Sequence, residues 1–307
     1  MNDFVTVNEV GPRDGLQSQG KILSIEERLL MINALLASGI RSIEVGSFVS
    51  PKAVPQMAGT GELFGQLPMT EVVAYSALVP NMRGYELALA AGAKSIAVVL
   101  SATETMNQRN INMSLEQSTA VCAELLQRAR EDGIEGRAYV AVAFECPFEG
   151  LTPARVVESL TLRMLEAGAR KVIVADTIGA ANPKSVRDVL GSLIGLDSAS
   201  MLSCHFHDTR GMALANVLAA LELGVREFDS SIGGLGGCPF SPGATGNLAT
   251  EDLVLMLHSM GLRSGIEPLA LVVTVQRIQA LAGVPLGGHA FRWLQRQASK
   301  PQEAVHV

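Results

Sequence analysis

The chain has 307 residues, of which 48% are hydrophobic and 18% are charged, so charged residues are too sparse for a disordered protein. Its formal net charge of −6 and its lack of Lys/Arg runs argue against a nucleic-acid-binding protein. Uncharged apolar stretches of about 18 residues and the features of a signal peptide are both missing, which argues against a membrane protein. Four widely spaced cysteines are typical of reduced thiols. We therefore expect a cytoplasmic protein with a small-molecule partner.

Short apolar runs rich in β-branched residues recur along the chain and predict eight strands. Most of the intervals between them carry apolar residues at helical spacing, and glycine often follows the last helical residue. The predicted strands are 5–10, 42–46, 72–78, 95–100, 138–144, 172–176, 202–207 and 227–232. The predicted helices between them are 24–38, 82–91, 115–132, 153–167, 183–194 and 211–223.

Eight strands alternating with helices predict an α/β fold, a (β/α)8 TIM barrel. A doubly wound open sheet is the alternative, but no G-x-G-x-x-G follows the first strand and polar clusters follow nearly every strand. Two more helices are predicted at 248–260 and 268–282. We expect one catalytic domain over 1–307, in which 248–298 forms C-terminal helices that cover the barrel or contact another subunit of a homo-oligomer.

His205 and His207 lie two residues apart at the end of the seventh predicted strand, so their side chains point to the same face. Two adjacent imidazoles can form half of a metal site. Alternatively, they can be core histidines whose ring nitrogens form hydrogen bonds with other groups of the protein. With a carboxylate beside them, such ligands suit Mn²⁺, Zn²⁺ or Fe²⁺, and Mg²⁺ less readily.

Polar residues at the ends of other strands meet at the same end of a TIM barrel. Asp14, after the first strand, is a candidate cation ligand or base, and the neighbouring Arg13 could hold an anion or a developing enolate. The alternative is an Asp-Gly turn with a surface arginine. Glu44, inside an apolar strand, requires a partner, either Arg13 or a metal site.

Further candidates follow the fifth, sixth and eighth strands. Asp176 is a candidate substrate-binding or metal-supporting residue, and Glu145 is a weaker one. A glycine-rich loop after the eighth strand contains Cys238 and allows a ligand to approach the backbone closely. Asn247, at the end of this loop, could cap a helix or complete a metal site.

Four motifs in this order resemble those of the 3-hydroxy-3-methylglutaryl-CoA (HMG-CoA) lyase family. They are VGPRDGLQ at 10–17, SFVSPK with VPQM at 47–57, HFHDT at 205–209, and GLGGCP continuing to GNLATED at 234–252. The likeness extends from about Val5 to Gly265. Several long motifs in the right order are a far more specific signal than one short pattern.

The resemblance implies a metal-dependent lyase with a TIM barrel. It implies that Mg²⁺ or Mn²⁺ is held by four residues, Asp14, His205, His207 and Asn247. It further implies that Arg13 polarises a thioester carbonyl, that Glu44 supports the site, and that Cys238 acts from a mobile loop. We expect four more residues to surround the substrate or the metal ligands, namely Gln17, Asp176, Thr177 and Glu251. Arg109 and Asn110 are weaker candidates for contacts with coenzyme A.

The activity that the resemblance implies is retro-Claisen cleavage of HMG-CoA to acetyl-CoA and acetoacetate, with Asp14 as the expected base. One alternative is the same chemistry on a related branched 3-hydroxyacyl-CoA, such as citramalyl-CoA or a longer-chain homologue. A condensing acyltransferase of the isopropylmalate synthase kind is a less favoured alternative, since those enzymes usually carry a long C-terminal extension. A non-catalytic protein that binds metal or coenzyme A is the third.

The chain departs from the family pattern at several positions near the expected site. Lys21 follows Gln17 one place later than usual, and Arg210 stands where tyrosine is common. Glu145 replaces a glycine and Phe148 replaces a tyrosine. None of these changes removes an expected metal ligand, but an added charge in the pocket wall can change which acyl group is accepted.

Overall fold

The structure, a computed structural model, describes residues 3–68, 70–196, 198–237 and 246–300. Ten strands occur in these ranges: β1 (Thr6–Glu9), β2 (Ser42–Ser47), β3 (Ala74–Leu78), β4 (Ser95–Ser101), β5 (Glu135–Ala141), β6 (Glu145–Cys146), β7 (Gly150–Leu151), β8 (Lys171–Asp176), β9 (Leu202–Phe206) and β10 (Glu227–Ser230). Eight of them are parallel and close into a barrel in the order β1-β10-β9-β8-β5-β4-β3-β2. The predicted TIM barrel is confirmed, and the open sheet is wrong.

The α-helices in the described ranges are α1 (Ile25–Ala37), α2 (Thr60–Gln66), α3 (Met82–Ala90), α4 (Glu104–Ile111), α5 (Leu115–Glu131), α6 (Ala154–Ala167), α7 (Pro183–Leu196), α8 (Ala213–Glu222), α9 (Thr250–Ser259), α10 (Ala270–Ala282) and α11 (Phe291–Ala298). The longer helices match the predicted segments because their caps are encoded locally. Ser24 and Ser114 each form a capping box, with Glu27 and Gln117 respectively.

Helices α2 and α4 and the antiparallel hairpin of β6 and β7 were not predicted. The hairpin strands have only two residues each, and α4 (ETMNQRNI) lacks an apolar stripe. Strand β5 starts three residues before the predicted segment because Glu135 and Arg137 interrupt its apolar pattern. These elements depend on tertiary packing, which overrides local preference.

The barrel interior is polar between its two ends. Tyr139 on β5 donates a hydrogen bond from its hydroxyl to Asp229 Oδ2 on β10 at 2.7 Å, and Asn8 Nδ2 on β1 donates to Asp229 Oδ1 at 2.8 Å. Because β5 and β10 are not neighbours in the sheet, the Tyr139 bond crosses the interior. The main apolar core lies instead between the strands and the helices.

Helices α9, α10 and α11 fall within the predicted 248–298 segment. Helix α10 packs against α1, and Thr274 Oγ1 donates to the Ala34 carbonyl at 3.3 Å. Among the described residues, every helix is too short or too polar to cross a membrane. The three cysteines described, Cys122, Cys146 and Cys204, are buried free thiols, as predicted.

Candidate metal centre

A turn of π-helix over Gly11–Gly15 directly follows β1 and presents Arg13 and Asp14 at the carboxyl end of the barrel. The turn is anchored by Glu9, whose Oε1 accepts hydrogen bonds from Gly11 N at 2.8 Å and from Ile232 N at 2.9 Å. A Cβ atom at Gly11 would lie 2.6 Å from this same oxygen, so the position requires glycine. The predicted alternative of a surface Asp-Gly turn is therefore wrong, since Arg13 is buried.

Asp14, His205 and His207 come together at this end of the barrel. Each offers one ligand atom, and the three atoms lie within 4.8 Å of one another. The ring centroids of the two histidines are 5.1 Å apart, and His207 Nε2 is 4.0 Å from Asp14 Oδ2. Carboxylate and imidazole groups at this spacing can bind one divalent cation.

Asn247 lies beside Asp14, to whose Oδ2 it donates a hydrogen bond from Nδ2 at 2.9 Å. Its Nδ2 also donates to the Leu235 carbonyl at 3.2 Å, while its Oδ1 is buried without a hydrogen-bond partner. The alternative in which Asn247 caps a helix is wrong, because α9 begins at Thr250 with Ala249 as its N-cap. The amide oxygen of Asn247 is thus a fourth potential ligand.

The orientation of His205 is fixed by Asp229, whose Oδ2 lies 3.1 Å from His205 Nδ1. Burial lowers the pKa of His205, but the hydrogen bond and charge of Asp229 outweigh it, so the pKa is raised. Asp229 was missed in the sequence. The signal was present, because Asp229, like Glu44, is a carboxylate in the middle of a predicted strand.

His207 has a different environment. Burial and the neighbouring His205 lower the pKa of His207 to about 4, so its ring is neutral near pH 7. Its Nδ1 is buried without a hydrogen-bond partner. A neutral imidazole with a free nitrogen can act as a metal ligand.

Arg13 bridges Asp14 and Glu44. Its Nε donates to Glu44 Oε2 at 2.6 Å, and its Nη1 donates to Asp14 Oδ1 at 2.6 Å. The partner required by Glu44 is therefore Arg13, the first of the two predicted options. Burial raises the pKa of Asp14, but Arg13 and the two histidines outweigh it and hold the pKa well below its usual range. Asp14 is ionised at neutral pH.

The glycine-rich loop returns to the site through its two described ends. A Cβ at Gly236 would lie 2.5 Å from Asn247 Nδ2, and a Cβ at Gly246 would collide with the Gly234 carbonyl oxygen. Glu251 connects this loop to the chain before α11, since it accepts hydrogen bonds from Gly233 N at 2.9 Å and Gly288 N at 2.7 Å. Cys238 lies outside the described residues.

Other predicted site residues contact the backbone around the site. Asp176 accepts hydrogen bonds from Ala180 N at 2.8 Å and Ala181 N at 3.1 Å, and burial raises its pKa to about 6. Thr177 Oγ1 accepts a hydrogen bond from Val142 N at 2.8 Å. Gln17 is exposed beyond the π-helical turn.

The rim of the barrel mouth carries the predicted coenzyme A candidates and the family departures. Arg109 and Asn110 are exposed on α4, and the Arg109 guanidinium lies 4.3 Å from the centroid of the Phe148 ring. Arg210 pairs with Glu145 at 3.2 Å. The two charges that distinguish this chain from the family pattern therefore contact each other.

The donor set fits a divalent cation. Three ligand atoms of the right type are close together, and the buried Asn247 Oδ1 is the unsatisfied oxygen that a cation would satisfy. Asp229 supplies the carboxylate that commonly orients a metal-binding histidine.

The HMGL-like family matches residues 5–278 of the chain. Hydroxymethylglutaryl-CoA lyase of Pseudomonas mevalonii is 45% identical over 279 residues, which cover 91% of this chain and 93% of that protein. The 3-hydroxy-3-isohexenylglutaryl-CoA/hydroxy-methylglutaryl-CoA lyase of Pseudomonas aeruginosa is 40% identical over 96% of this chain and 98% of its own.

Solved structures agree with this relationship. The hydroxymethylglutaryl-CoA lyase structure from Pseudomonas aeruginosa has a TM-score of 0.93 and 39% identity, over 97% of this chain and 99% of its own. An HMG-CoA lyase from Acinetobacter baumannii, solved in complex with coenzyme A and 3-methylmalate, has a TM-score of 0.90 and 38% identity, over 99% and 98%. The chain belongs to the HMGL-like family.

Proposed function

We propose that this chain is a divalent-metal-dependent lyase that cleaves HMG-CoA to acetyl-CoA and acetoacetate. The observation that carries the proposal is the convergence of Asp14, His205 and His207, with Arg13 hydrogen-bonded beside them. This arrangement provides a cation site next to a buried guanidinium. Retro-Claisen chemistry needs both, one for the tertiary hydroxyl and one for the thioester oxygen.

Asp14, His205, His207 and Asn247 would hold Mg²⁺ or Mn²⁺. The cation would supply Lewis acidity, which lowers the pKa of the substrate hydroxyl. Asp229 would keep His205 in the tautomer that directs its other nitrogen toward the cation. Glu44 would hold the Arg13 guanidinium in place through the 2.6 Å hydrogen bond.

In the reaction, the hydroxyl loses its proton and its oxygen becomes the ketone oxygen of acetoacetate. The bond between the carbinol carbon and the carbon next to the thioester breaks, and its electron pair forms the enolate of acetyl-CoA. The Arg13 guanidinium would stabilise the enolate oxygen. Cys238, carried by the glycine-rich loop, would deliver a proton to the enolate carbon.

Asp14 remains the proposed proton acceptor, directly or through water. Its lowered pKa makes it a weak base, so proton transfer to it requires a hydroxyl that has already been made acidic. The proposed base and the proposed cation therefore depend on each other.

A coupled assay of acetoacetate and acetyl-CoA release from HMG-CoA, with Mg²⁺ or Mn²⁺ present, tests the proposal. We expect large losses of turnover in Arg13→Met, His207→Ala and Cys238→Ala. The exposed His258 lies on α9 and provides the control His258→Ala, which should retain activity. Near wild-type turnover in all three site variants would contradict the proposal.

Further substrates should be tested in the same assay, because Glu145 and Arg210 form an ion pair at the rim of the barrel. This pair would change the wall that faces the acyl substituent. We therefore infer that branched homologues with a longer substituent are the main alternative substrates. The assay should include a citramalyl-type thioester, a longer-chain thioester, and acetyl-CoA with a 2-oxoacid in the synthetic direction.

Several predictions from the sequence stay predictions. They are the identity of the metal, the homo-oligomer, the single domain over 1–307, the cytoplasmic location, and contacts of Arg109 and Asn110 with coenzyme A. The Arg109 guanidinium lies over the Phe148 ring, 4.3 Å from its centroid.

A further inference from the structure

A cavity of about 950 Å³ lies at the amino end of the barrel, opposite the cation site. The first residues of several strands line it, including Thr6 of β1, Ser42 of β2 and Glu135 of β5. A volume of this size is typical of small-molecule pockets. In TIM-barrel enzymes, residues at the amino end of the barrel usually contribute to stability and not to catalysis. A cavity large enough for a ligand at this end therefore indicates a function separate from catalysis.

The cavity lining carries an excess of positive charge. Five basic residues line it, namely Arg41, Lys94, Arg137, Arg170 and Lys171, against two carboxylates, Glu135 and Glu227. The whole chain has a net charge of −6, so this end of the barrel has a local charge opposite to that of the protein. Such a cavity attracts anions.

The two carboxylates do not neutralise the five cations. Glu227 is shared, because it pairs with both Arg137 and Lys171. Arg170 Nε lies 3.4 Å from Glu135. Within the described ranges, Arg41 and Lys94 have no carboxylate at ion-pair distance, and Arg41 donates to the carbonyls of Leu36 and Ile40 instead.

Arg137 adds a buried, unsatisfied donor. The residue is only 6% exposed, and its Nε has no hydrogen-bond partner. Burial lowers the pKa of Lys171, and the positive charges of Arg137 and Arg170 lower it further, while Glu135 raises it. A bound anion would accept from these donors and reduce their mutual repulsion.

The same cavity has exposed apolar groups at its edge. Phe4 is 41% exposed and Val72 is 71% exposed, and both line the cavity with Tyr75. Single exposed apolar side chains are common, but here they adjoin the uncompensated cations. The lining thus offers a charged part and an apolar part to one ligand.

We propose that the amino-terminal mouth of the barrel binds a phosphate-bearing small molecule, with the phosphate among the basic residues and an apolar group against Phe4 and Val72. The ligand would be a phosphorylated metabolite with a flat or aliphatic moiety. This site is distinct from the cation site and does not depend on the proposed lyase activity.

Isothermal titration of the metal-loaded protein with inorganic phosphate and with adenosine 5′-monophosphate tests the site. The titrations are repeated with His207→Ala, which alters the cation site and should leave binding in the amino-terminal cavity unchanged. We expect saturable one-to-one binding of both probes, and tighter binding of the nucleotide because of the apolar wall. Lys94→Gln and Arg41→Gln should each weaken binding about 10-fold, the loss expected when one charge-assisted hydrogen bond is removed.

Lys184→Gln is the matched control, because Lys184 is an exposed lysine on α7 with an 84% exposed side chain. It should bind both probes as the wild type does. Absence of saturable binding, or binding that is unchanged in both Lys94→Gln and Arg41→Gln, would overturn the proposal. Melting temperatures of all variants separate a loss of binding from a loss of folded protein.

Discussion

The Asp229 carboxylate lies 3.1 Å from Nδ1 of His205 and also accepts hydrogen bonds from Tyr139 and Asn8. One buried carboxylate therefore connects three strands of the barrel to a candidate metal ligand. Its pKa is raised by burial but lowered more by His205 and the other donors, so it is below its usual value. An ionised partner of this kind makes the histidine a better ligand.

We predict that Asp229→Asn weakens metal binding about 10- to 100-fold, the range usual for residues that orient a metal ligand. The amide lacks the charge that stabilises the correct tautomer of His205. Tyr139→Phe is the control, because it removes one hydrogen bond to Asp229 and leaves the His205 contact intact. Metal affinity by competition with a fluorescent chelator is the measurement, and equal affinity in Asp229→Asn and wild type would contradict the assigned role.

The buried carboxyl group of Glu9 should make the free energy of unfolding fall as pH rises. Burial raises the pKa of Glu9 to about 7 from 4.5, despite hydrogen bonds from Thr250, Ile232 and Gly11. The folded state thus holds the proton more tightly than the unfolded state does. The stability contributed by this group is fully present below pH 4.5 and is lost as pH rises through about 7, a change of about 3 kcal/mol.

Glu9→Gln should reduce this loss of stability. A glutamine keeps an acceptor oxygen for the backbone N–H groups of Gly11 and Ile232, and its side-chain amide can donate to Thr250 Oγ1. Burial also raises the pKa of Glu251 to about 7 and that of Asp176 to about 6, so part of the pH dependence should remain. Urea unfolding between pH 5 and 8 measures the slope, and the exposed Glu62→Gln is the control. A Glu9→Gln variant with the wild-type slope would show that Glu9 does not titrate in this range.

Thr177 supports a strained residue next to the site. Val142 follows β5 with φ of 50°, a conformation that a β-branched residue rarely adopts and that costs about 1–3 kcal/mol. Its N–H donates to Thr177 Oγ1, and its carbonyl accepts from Thr152 Oγ1 at 2.7 Å. The backbone at the end of β5 is therefore held from both sides.

We expect Thr177→Val to lower the free energy of unfolding by about 1–3 kcal/mol, because the Val142 N–H is left buried without an acceptor. Thr177→Ser retains the hydroxyl and should restore most of this stability. Chemical denaturation of both variants gives the comparison. If Thr177→Val is as stable as wild type but has a raised KM, Thr177 acts on the substrate rather than on the backbone.

Arg210 and Glu145 provide a test of acyl selectivity. An exposed ion pair contributes about 0–1 kcal/mol to stability, so its removal should leave the fold intact. Replacing both with the residues usual in the family, as Glu145→Gly with Arg210→Tyr, should change the ratio of kcat/KM for HMG-CoA and a longer-chain homologue about 10-fold. Lys184→Gln serves as the charge control, and an unchanged ratio would exclude the pair from substrate choice.

Periodicity and strand ends were sufficient to predict the eight barrel strands and the positions of Asp14 and His205. The carboxyl ends of all strands in a TIM barrel lie at the same end of the barrel, so polar residues that follow different strands were expected to meet. Contacts between side chains in the barrel interior could not be predicted from the sequence in this way. The bond between Tyr139 and Asp229 depends on two strands that are not neighbours, and the sequence does not specify which interior side chains face each other across a closed sheet.

Gly236 offers a test of the link between the glycine-rich loop and the cation site. It has φ of 141°, and an added Cβ would lie 2.5 Å from Asn247 Nδ2. Gly236→Ala should therefore displace the Asn247 amide and weaken metal binding about 10-fold or more, in addition to a backbone penalty of about 1 kcal/mol. Gly92→Ala is the matched control, since Gly92 also has positive φ, of 84°, but has open space around its Cβ position. We expect both variants to lose stability, and only Gly236→Ala to lose metal affinity and turnover. Equal metal affinity in the two variants would show that the loop and Asn247 are not coupled.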